Sequence, residues 1–507
     1  MIGRLVIRAD ADGVMGTGHV MRCLALAEVW RDRGGEVLFA GRIEPEALRR
    51  RIELEGAGLV DLAGRYPDPA DLVSMHRLAV EQLCQHAPLG WLVLDGYHFD
   101  AVYQQAMREA GWQLLAIDDL GQLADYHCDA LINQNLYAPN ISYNCPPEAT
   151  MMLGPCYALL RREFCKFGGK ERFLPPIARR VLVTMGGADQ HNVTGRVLSA
   201  LAASGIDGLE VKAVVGAANP YAGVLAELVA GLPFRCELAR DVVDMATLMH
   251  WADVAVTAAG TTTYELACVG TPFVALITAG NQEENANQLA RQGVAIVLGW
   301  YDALGSDVLA RRLREFLHDG VQGQAQAAMG CGLVDGRGAS RVVIALLARG
   351  LTLSPVRWSD KDVLLQWAND PMTRKNSFRS ETISSEGHEQ WLVAKLAAQD
   401  CRLWRATLSD GTPMGLVRFN LGEGMAEISM NLSPGLRGQG LGSVLISSAC
   451  SRLFREEQGV GRITALVKTD NQASLRSFAK SGFIVAGETE RFGVQAVLLG
   501  LERNQHE

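Results

Sequence analysis

Through the first two thirds of the chain, short apolar runs alternate with longer amphipathic stretches. This strand, helix, strand rhythm predicts parallel sheet with right-handed crossovers. LVIRAD (5–10) leads into a glycine-rich turn and a helix through Arg33, and EVLFAG (36–41), WLVLD (91–95) and LLAID (114–118) predict further strands, with a helix at 100–110. After the Pro- and Arg-rich connector FLPPIARR (173–180) the pattern restarts: VLVTM (181–185) runs into GGADQHN and a helix from about Val193. Strands follow at VKAVVG (211–216), DVAVTAAG (253–260) and PFVALIT (272–278). The simplest assembly is two Rossmann-like α/β domains, 1–160 and 161–350, facing one cleft. A closing helix at 332–349 and a turn-forming link, LTLSPVR (351–357), precede a third domain, 355–507, with a different rhythm. Helices are expected at 361–369 and 385–398, strands at 402–408 and 414–421, an alternating strand at AEISMNL (426–432), and a helix opened by RGQGLG. That order predicts an α+β fold whose mainly antiparallel sheet splays around its fourth strand.

A chain of 507 residues exceeds the roughly 250–300 at which one core stops growing, which fits several domains. With 48% hydrophobic and 21% charged residues, global disorder is excluded. A net charge of -8 offers no basic footprint, so neither nucleic acid nor an anionic membrane is the expected partner. Eleven cysteines form no CxxC pair, which points to a reducing, cytoplasmic compartment. The opening MIGRLVIRAD enters a strand at once and no apolar run reaches about 18 residues, so neither a secretion signal nor a membrane span is expected.

The candidate chemistry lies at strand ends. In Gly16-Thr17-Gly18-His19-Val20-Met21-Arg22, glycines allow close approach and free N–H groups attract phosphate, while the positive helix end favours a neutral, basic His19. Asp10 either orients His19 or caps a turn, and Arg22 pairs with phosphate or with Asp10. Asp95-Gly96-Tyr97-His98 and Asp118-Asp119 follow two further strands, at the edge where open α/β sheets bind ligands. Gly186-Gly187-Ala188-Asp189 and Gly260-Thr261-Thr262-Thr263-Tyr264-Glu265 form two more anion-ready turns. Thr261 and Thr262 can hold a diphosphate, and Glu265 either accepts ribose hydroxyls or complements its helix dipole. Asn281 and Gln282 can reach diphosphate or sugar, or act as helix caps.

IRADADGVMGTGHVMRCLALA, LDGYHFD, IDDLGQLADYHCDALINQN, VLVTMGGADQHN, AAGTTTYELACVGTPFVAL and NQEENA stand in the order seen in the nucleotide-sugar hydrolases of pseudaminic acid biosynthesis, which residues 2–350 resemble. That family removes UDP from UDP-2,4-diacetamido-2,4,6-trideoxy-β-L-altropyranose and is similar in fold to GT-B glycosyltransferases. The resemblance implies a GT-B-like arrangement, attack of water at the anomeric carbon and no metal. It makes His19 the catalytic histidine, Tyr97 a substrate-site tyrosine, Glu265 the uridine-ribose carboxylate and Asn281 a ligand-site amide. His98 departs from it: the family has histidine before this tyrosine and glycine after.

In the third domain, Arg437, Gly438, Gln439, Gly440, Leu441 and Gly442 follow a strand and open a helix, so their N–H groups can surround a pyrophosphate. Asn471, Ser474 and Phe478 belong to a downstream N-x-x-S-x-x-x-aromatic-x-K-x-G-F pattern. Together the two motifs resemble the GNAT acyltransferases over about 355–500, which implies acetyl-CoA as cosubstrate. N–H groups near Met430, Asn431 and Leu432 would bind the thioester oxygen at the splay. Glu427 either takes the amine proton through water or is a structural strand glutamate. Phe478 stands where many members carry a proton-donating tyrosine. His388 and Arg374 are substrate-contact or surface residues.

The two resemblances join adjacent reactions. The third domain would acetylate a UDP-4-amino sugar and the first two would hydrolyse UDP from the product. The rivals are a UDP-sugar glycosyltransferase or hydrolysing epimerase on another amino sugar, with a protein N-acetyltransferase or a silent CoA-binding module.

Overall fold

The computed structural model describes residues 2–505 except 14, 86–89, 188, 217, 218 and 241, so Ala188 of the second glycine turn lies outside the described residues. The chain forms two compact units, 2–343 and 344–507.

The first unit holds two parallel sheets. One comprises β1 (Leu5–Ala9), β2 (Val37–Gly41), β3 (Gly58–Asp61), β4 (Trp91–Asp95), β5 (Gln113–Ile117), β6 (Ala130–Asn133) and β7 (Thr150–Leu153), in the order β3-β2-β1-β4-β5-β6-β7. The other comprises β8 (Arg180–Thr184), β9 (Glu210–Val215), β10 (Arg235–Arg240), β11 (Val254–Ala258), β12 (Phe273–Ile277) and β13 (Ile296–Trp300), in the order β10-β9-β8-β11-β12-β13. In both, the chain winds outward from the first strand and then reverses, which opens a crevice at the carboxyl ends of β1/β4 and of β8/β11. The central strands β1, β4, β11 and β12 are buried at every position, as helices on both faces demand. Leu136, Leu160 and Phe164 from beyond β6 enter the core built on β11 and β12, so the two sheets share packed side chains.

The second unit carries one sheet of β14 (Thr352–Pro355), β15 (Cys401–Thr407), β16 (Pro413–Leu421), β17 (Met425–Leu432), β18 (Arg462–Lys468), β19 (Ile484–Arg491) and β20 (Val494–Glu502), in the order β14-β15-β16-β17-β18-β20-β19. All neighbours run antiparallel except β17 and β18. That parallel pair stays in register only from Met425↔Arg462 to Ile428↔Ala465, while β17 continues with β16 as far as Leu432. The expected splay is therefore real and begins after Ile428. One expectation is overturned: within LTLSPVR, Thr352–Pro355 is an edge strand on β15, with Pro355 at its end where a missing N–H is tolerated.

Candidate functional site

The helix Gly18–Asp32 starts beside the β1/β4 switch point, and Thr17 at its N-cap makes no side-chain cap. Its first-turn N–H groups, which no intrahelical carbonyl can reach, therefore face the crevice. One position further in, His19 Nδ1 lies 2.6 Å from Asp95 Oδ1. Arg22, one turn on, grips the same carboxylate with Nε (2.7 Å) and Nη2 (2.6 Å) and reaches Asp119 with Nη1 (2.8 Å). The Tyr97 hydroxyl donates to Asp119 (2.9 Å), and its ring stands edge-on to His19 at 5.0 Å. Burial alone would raise the Asp95 carboxyl, but Arg22 and His19 outweigh it and hold it well below the usual range. Asp119 is depressed likewise: burial opposes and Arg22 prevails. A carboxylate fixed on Nδ1 leaves Nε2 as the basic nitrogen, the arrangement a general base requires.

This corrects the expectation for Asp10. It does not orient His19, and Arg22 does not pair with it. Asp10 accepts from the Arg42 N–H (2.7 Å) and stands at ion-pair distance from Arg8 (2.8 Å) and His98 Nε2 (3.1 Å), with no exposed surface of its own. Arg8 in turn binds Asp71. Asp10 follows β1, and Asp95 ends the neighbouring strand β4. The carboxylate that serves His19 thus comes from 76 residues away in sequence. Asp95 and Asp119 were legible as strand-end acids, but their pairing was not.

The second sheet supplies the opposite wall. Gly186 turns with φ 86°, and a Cβ at Gly187 would sit 3.2 Å from the Thr17 hydroxyl, so the two glycine loops approach closely. Thr261 stands at the N-cap of Thr262–Val269, leaving Gly260, Thr261 and Thr262 at a helix start, with Glu265 one turn in. Arg161 lies 3.6 Å from Glu265 and 2.9 Å from Glu163. Burial pushes the Glu265 carboxyl up, and the Arg161 charge opposes it. The Gln282 side-chain oxygen accepts from Thr278 N (3.0 Å) and Oγ1 (3.1 Å), which turns its amide nitrogen towards Gly260. Asn281 Nδ2 donates to the Tyr97 hydroxyl at 3.3 Å, so the two expected ligand-site residues meet across the crevice. Beneath them the buried Tyr264 hydroxyl donates to Asn285 (2.6 Å) and accepts from Leu136 N (3.1 Å).

In the second unit, Gly438 (φ 73°) and Gly440 (φ 79°) shape the loop before the helix Leu441–Glu456, as an anion-binding turn requires, with Gln439 half-buried between them and Gly442 inside the first turn. The side chains differ from expectation. Arg437 is committed to Asp370, to the Thr373 hydroxyl (2.7 Å) and to the Leu432 carbonyl (3.2 Å). Asn431 donates to the Trp367 carbonyl (3.1 Å), and Asn471 caps its helix through Ser474 N (3.2 Å). Phe478 is 4% exposed and packs edge-on against Phe483, so it is a core residue. His388 is buried against Trp391 rather than exposed, and Arg374 braces the loop that follows it by donating to the Arg379 and Glu381 carbonyls. Glu427 accepts from Arg491 at 2.9 Å, so the expected base is held in an ion pair. Among the described residues no group of three or more His, Cys, Asp or Glu side chains is placed to hold a metal, and no helix is long and apolar enough to cross a membrane.

Residues 181–331 match the glycosyltransferase family 28 C-terminal domain, and residues 350–484 match the acetyltransferase (GNAT) domain. Over 297 residues, covering 58% of this chain and 98% of the relative, the sequence is 26% identical to the UDP-2,4-diacetamido-2,4,6-trideoxy-β-L-altropyranose hydrolase of Campylobacter jejuni. It is 28% identical over 194 residues to the spore coat polysaccharide biosynthesis protein SpsG of Bacillus subtilis, covering 38% of this chain and 57% of that one. Among solved structures, aminoglycoside acetyltransferase AAC(6')-Ib with coenzyme A aligns at 22% identity over 31% of this chain and 96% of that one, with a TM-score of 0.28. The chain is thus an enzyme in which a homologue of the UDP-sugar hydrolase, with its glycosyltransferase family 28 C-terminal domain, continues into a GNAT acetyltransferase domain.

Proposed function

We propose a bifunctional, cytoplasmic nucleotide-sugar enzyme of pseudaminic acid biosynthesis. Residues 355–507 transfer acetyl from acetyl-CoA to the 4-amino group of a UDP-4-amino-4,6-dideoxy-N-acetyl-altrosamine. Residues 1–160 and 161–350 then hydrolyse the diacetamido product to free sugar and UDP. The observation that carries the hydrolase reading is the His19–Asp95 pair at the switch point of one sheet, facing the glycine and threonine turns of the other. Gly18, Gly186, Gly187, Thr261 and Thr262 surround the diphosphate, Arg22 being engaged by Asp95 and Asp119, while Glu265 takes the ribose hydroxyls and Asn281 and Gln282 orient the sugar side. Water attacks the anomeric carbon as its proton passes to His19 Nε2. The anomeric C–O bond breaks, its electron pair leaves with UDP, and helix-start N–H groups stabilise the charge that develops there. In the acetyltransferase, N–H groups at Met430–Leu432 polarise the thioester carbonyl. The neutral amine attacks the carbonyl carbon and gives up one proton to water, the C–S bond breaks, and CoA leaves as a thiolate that takes a proton back from water, Phe478 having none to give.

Purified full-length protein mixed with the UDP-4-amino sugar and acetyl-CoA should release CoA first and then UDP, followed by mass spectrometry. UDP formed without acetyl-CoA, or neither product, would contradict the assignment. His19→Ala should abolish UDP release and spare acetyl transfer.

A further inference from the structure

The face of the third sheet that carries Glu427 gathers more positive charge than its neighbours neutralise. Arg418 of β16 stands opposite Ser429 of β17, and Arg491 closes β19. Arg379 lies in the segment between the helices Pro371–Asn376 and Ser385–Ala397. Arg418 Nε is buried without a hydrogen-bond partner. Burial pushes the Arg418 guanidinium down; the Glu427 carboxylate opposes this and the Arg491 charge adds to it, so the three groups share one neighbourhood. Arg491 gives a single hydrogen bond, to Glu427. The Arg379 side chain makes no hydrogen bond or ion pair among the described residues; its guanidinium lies over the Phe492 ring at 4.6 Å. The buried Arg418 Nε lacks an acceptor, and the more exposed Arg491 and Arg379 keep donors that no side chain among the described residues engages.

The hairpin tip adds an independent observation. Arg491 pairs with Val494, so Phe492 (φ 53°) and Gly493 (φ 76°) form a two-residue turn with both residues left-handed, a geometry that favours Asn, Asp or Gly. Phenylalanine is strained there, and its ring is 61% exposed, so burial does not compensate. Arg491 lies 5.8 Å from the Phe378 ring as well as 5.8 Å from Phe492, so the two rings flank one arginine. The segment bearing Phe378 and Arg379 is fixed from below by Arg374 and by the Lys468 ammonium on the Lys375 carbonyl (2.8 Å). Arginines with unused donors beside two aromatic rings, the exposed Phe492 and the half-buried Phe378, match a ligand that carries phosphate and a planar base.

We propose that this face is the acceptor site of the acetyltransferase, in which Arg418, Arg491 and Arg379 hold the phosphates of a nucleoside-diphosphate amino sugar and Phe378 and Phe492 stack its base. The inference rests on reading the module as a sugar-nucleotide acetyltransferase, and it assigns Glu427 to holding Arg491 in place. The strained turn is kept because it presents a ring to the ligand.

Irradiating the full-length protein with 5-azido-UDP and mapping the labelled peptides tests this without needing turnover. Label is expected on peptides containing Phe378 or Phe492 as well as on peptides from 2–343. Excess acetyl-CoA should leave it in place. The double variant Arg379→Gln/Arg491→Gln should lose at least tenfold of the third-domain label while labelling of 2–343 stays constant. Phe492→Asn, which suits the turn and so preserves the hairpin, should weaken it as well. Label confined to 2–343, third-domain label indifferent to these variants, or label displaced by acetyl-CoA would overturn the site. If the label persists but no CoA is released from acetyl-CoA and the UDP-amino sugar, the acetyltransferase reading fails and the nucleotide site stands.

Discussion

In the proposed mechanism His19 works through a carboxylate it does not adjoin in sequence. Asp95→Asn preserves the shape but removes the charge that fixes the ring, so UDP release from the acetylated sugar should fall by about 10²–10⁴-fold in kcat with KM little changed. Single-turnover measurement checks this, and an unchanged rate would remove Asp95 from the mechanism. Arg161 acts one step back from the nucleotide. Arg161→Met removes the charge that opposes the upward shift of Glu265, so KM for the UDP-sugar should begin to rise at a higher pH on acidification than in the unaltered enzyme. KM measured between about pH 8 and pH 5 decides it, because a purely structural role would raise KM equally at every pH. Stability follows the same charges. Asp10, Asp95 and Asp119 titrate below their unfolded value, so their stabilisation is complete above about pH 4 and is lost as pH falls towards the folded values. Asp118, which burial raises, works in the opposite sense. Unfolding free energy should therefore decline below about pH 4, and less steeply in Asp95→Asn.

The elements nearest the switch points were the most legible. WLVLD (91–95) is buried throughout and reads as a strand on composition alone. The edge strands were not. β10, RCELAR, alternates charge with small apolar residues, and β14, LTLSP with its proline, reads as a link because half an edge strand's groups face water. His19 was legible because a glycine turn and a helix start bracket it. Its partner was not, since aspartates stand at the carboxyl ends of two neighbouring strands, and only the folded position of the helix Gly18–Asp32 shows which one meets His19. That helix also carries a compromise. Thr17 leaves its first turn uncapped, so Thr17→Asp should stabilise the fold by about 1 kcal/mol and raise KM for the UDP-sugar by charge repulsion. Thermal unfolding beside steady-state kinetics would show the two effects moving in opposite directions.

At the scale of the whole molecule, the sequence divides plainly into a nucleotide-sugar hydrolase homologue and an acetyltransferase domain, because each carries several ordered motifs rather than one glycine loop. Within the hydrolase unit, the phenol of Tyr264 joins the second sheet to Leu136 and Asn285 with no exposed surface. Removing the oxygen with Tyr264→Phe leaves buried polar groups unpaired and should cost about 1–3 kcal/mol of unfolding free energy. The same bond constrains motion. A buried tie at the floor of the crevice and a weaker, exposed one at its mouth, Asn281 to Tyr97, let the walls swing apart but not slide apart. In the proposed hydrolase an entering sugar meets the exposed tie and not the buried one, so the contact that substrate displaces is the one whose loss leaves the floor of the crevice intact.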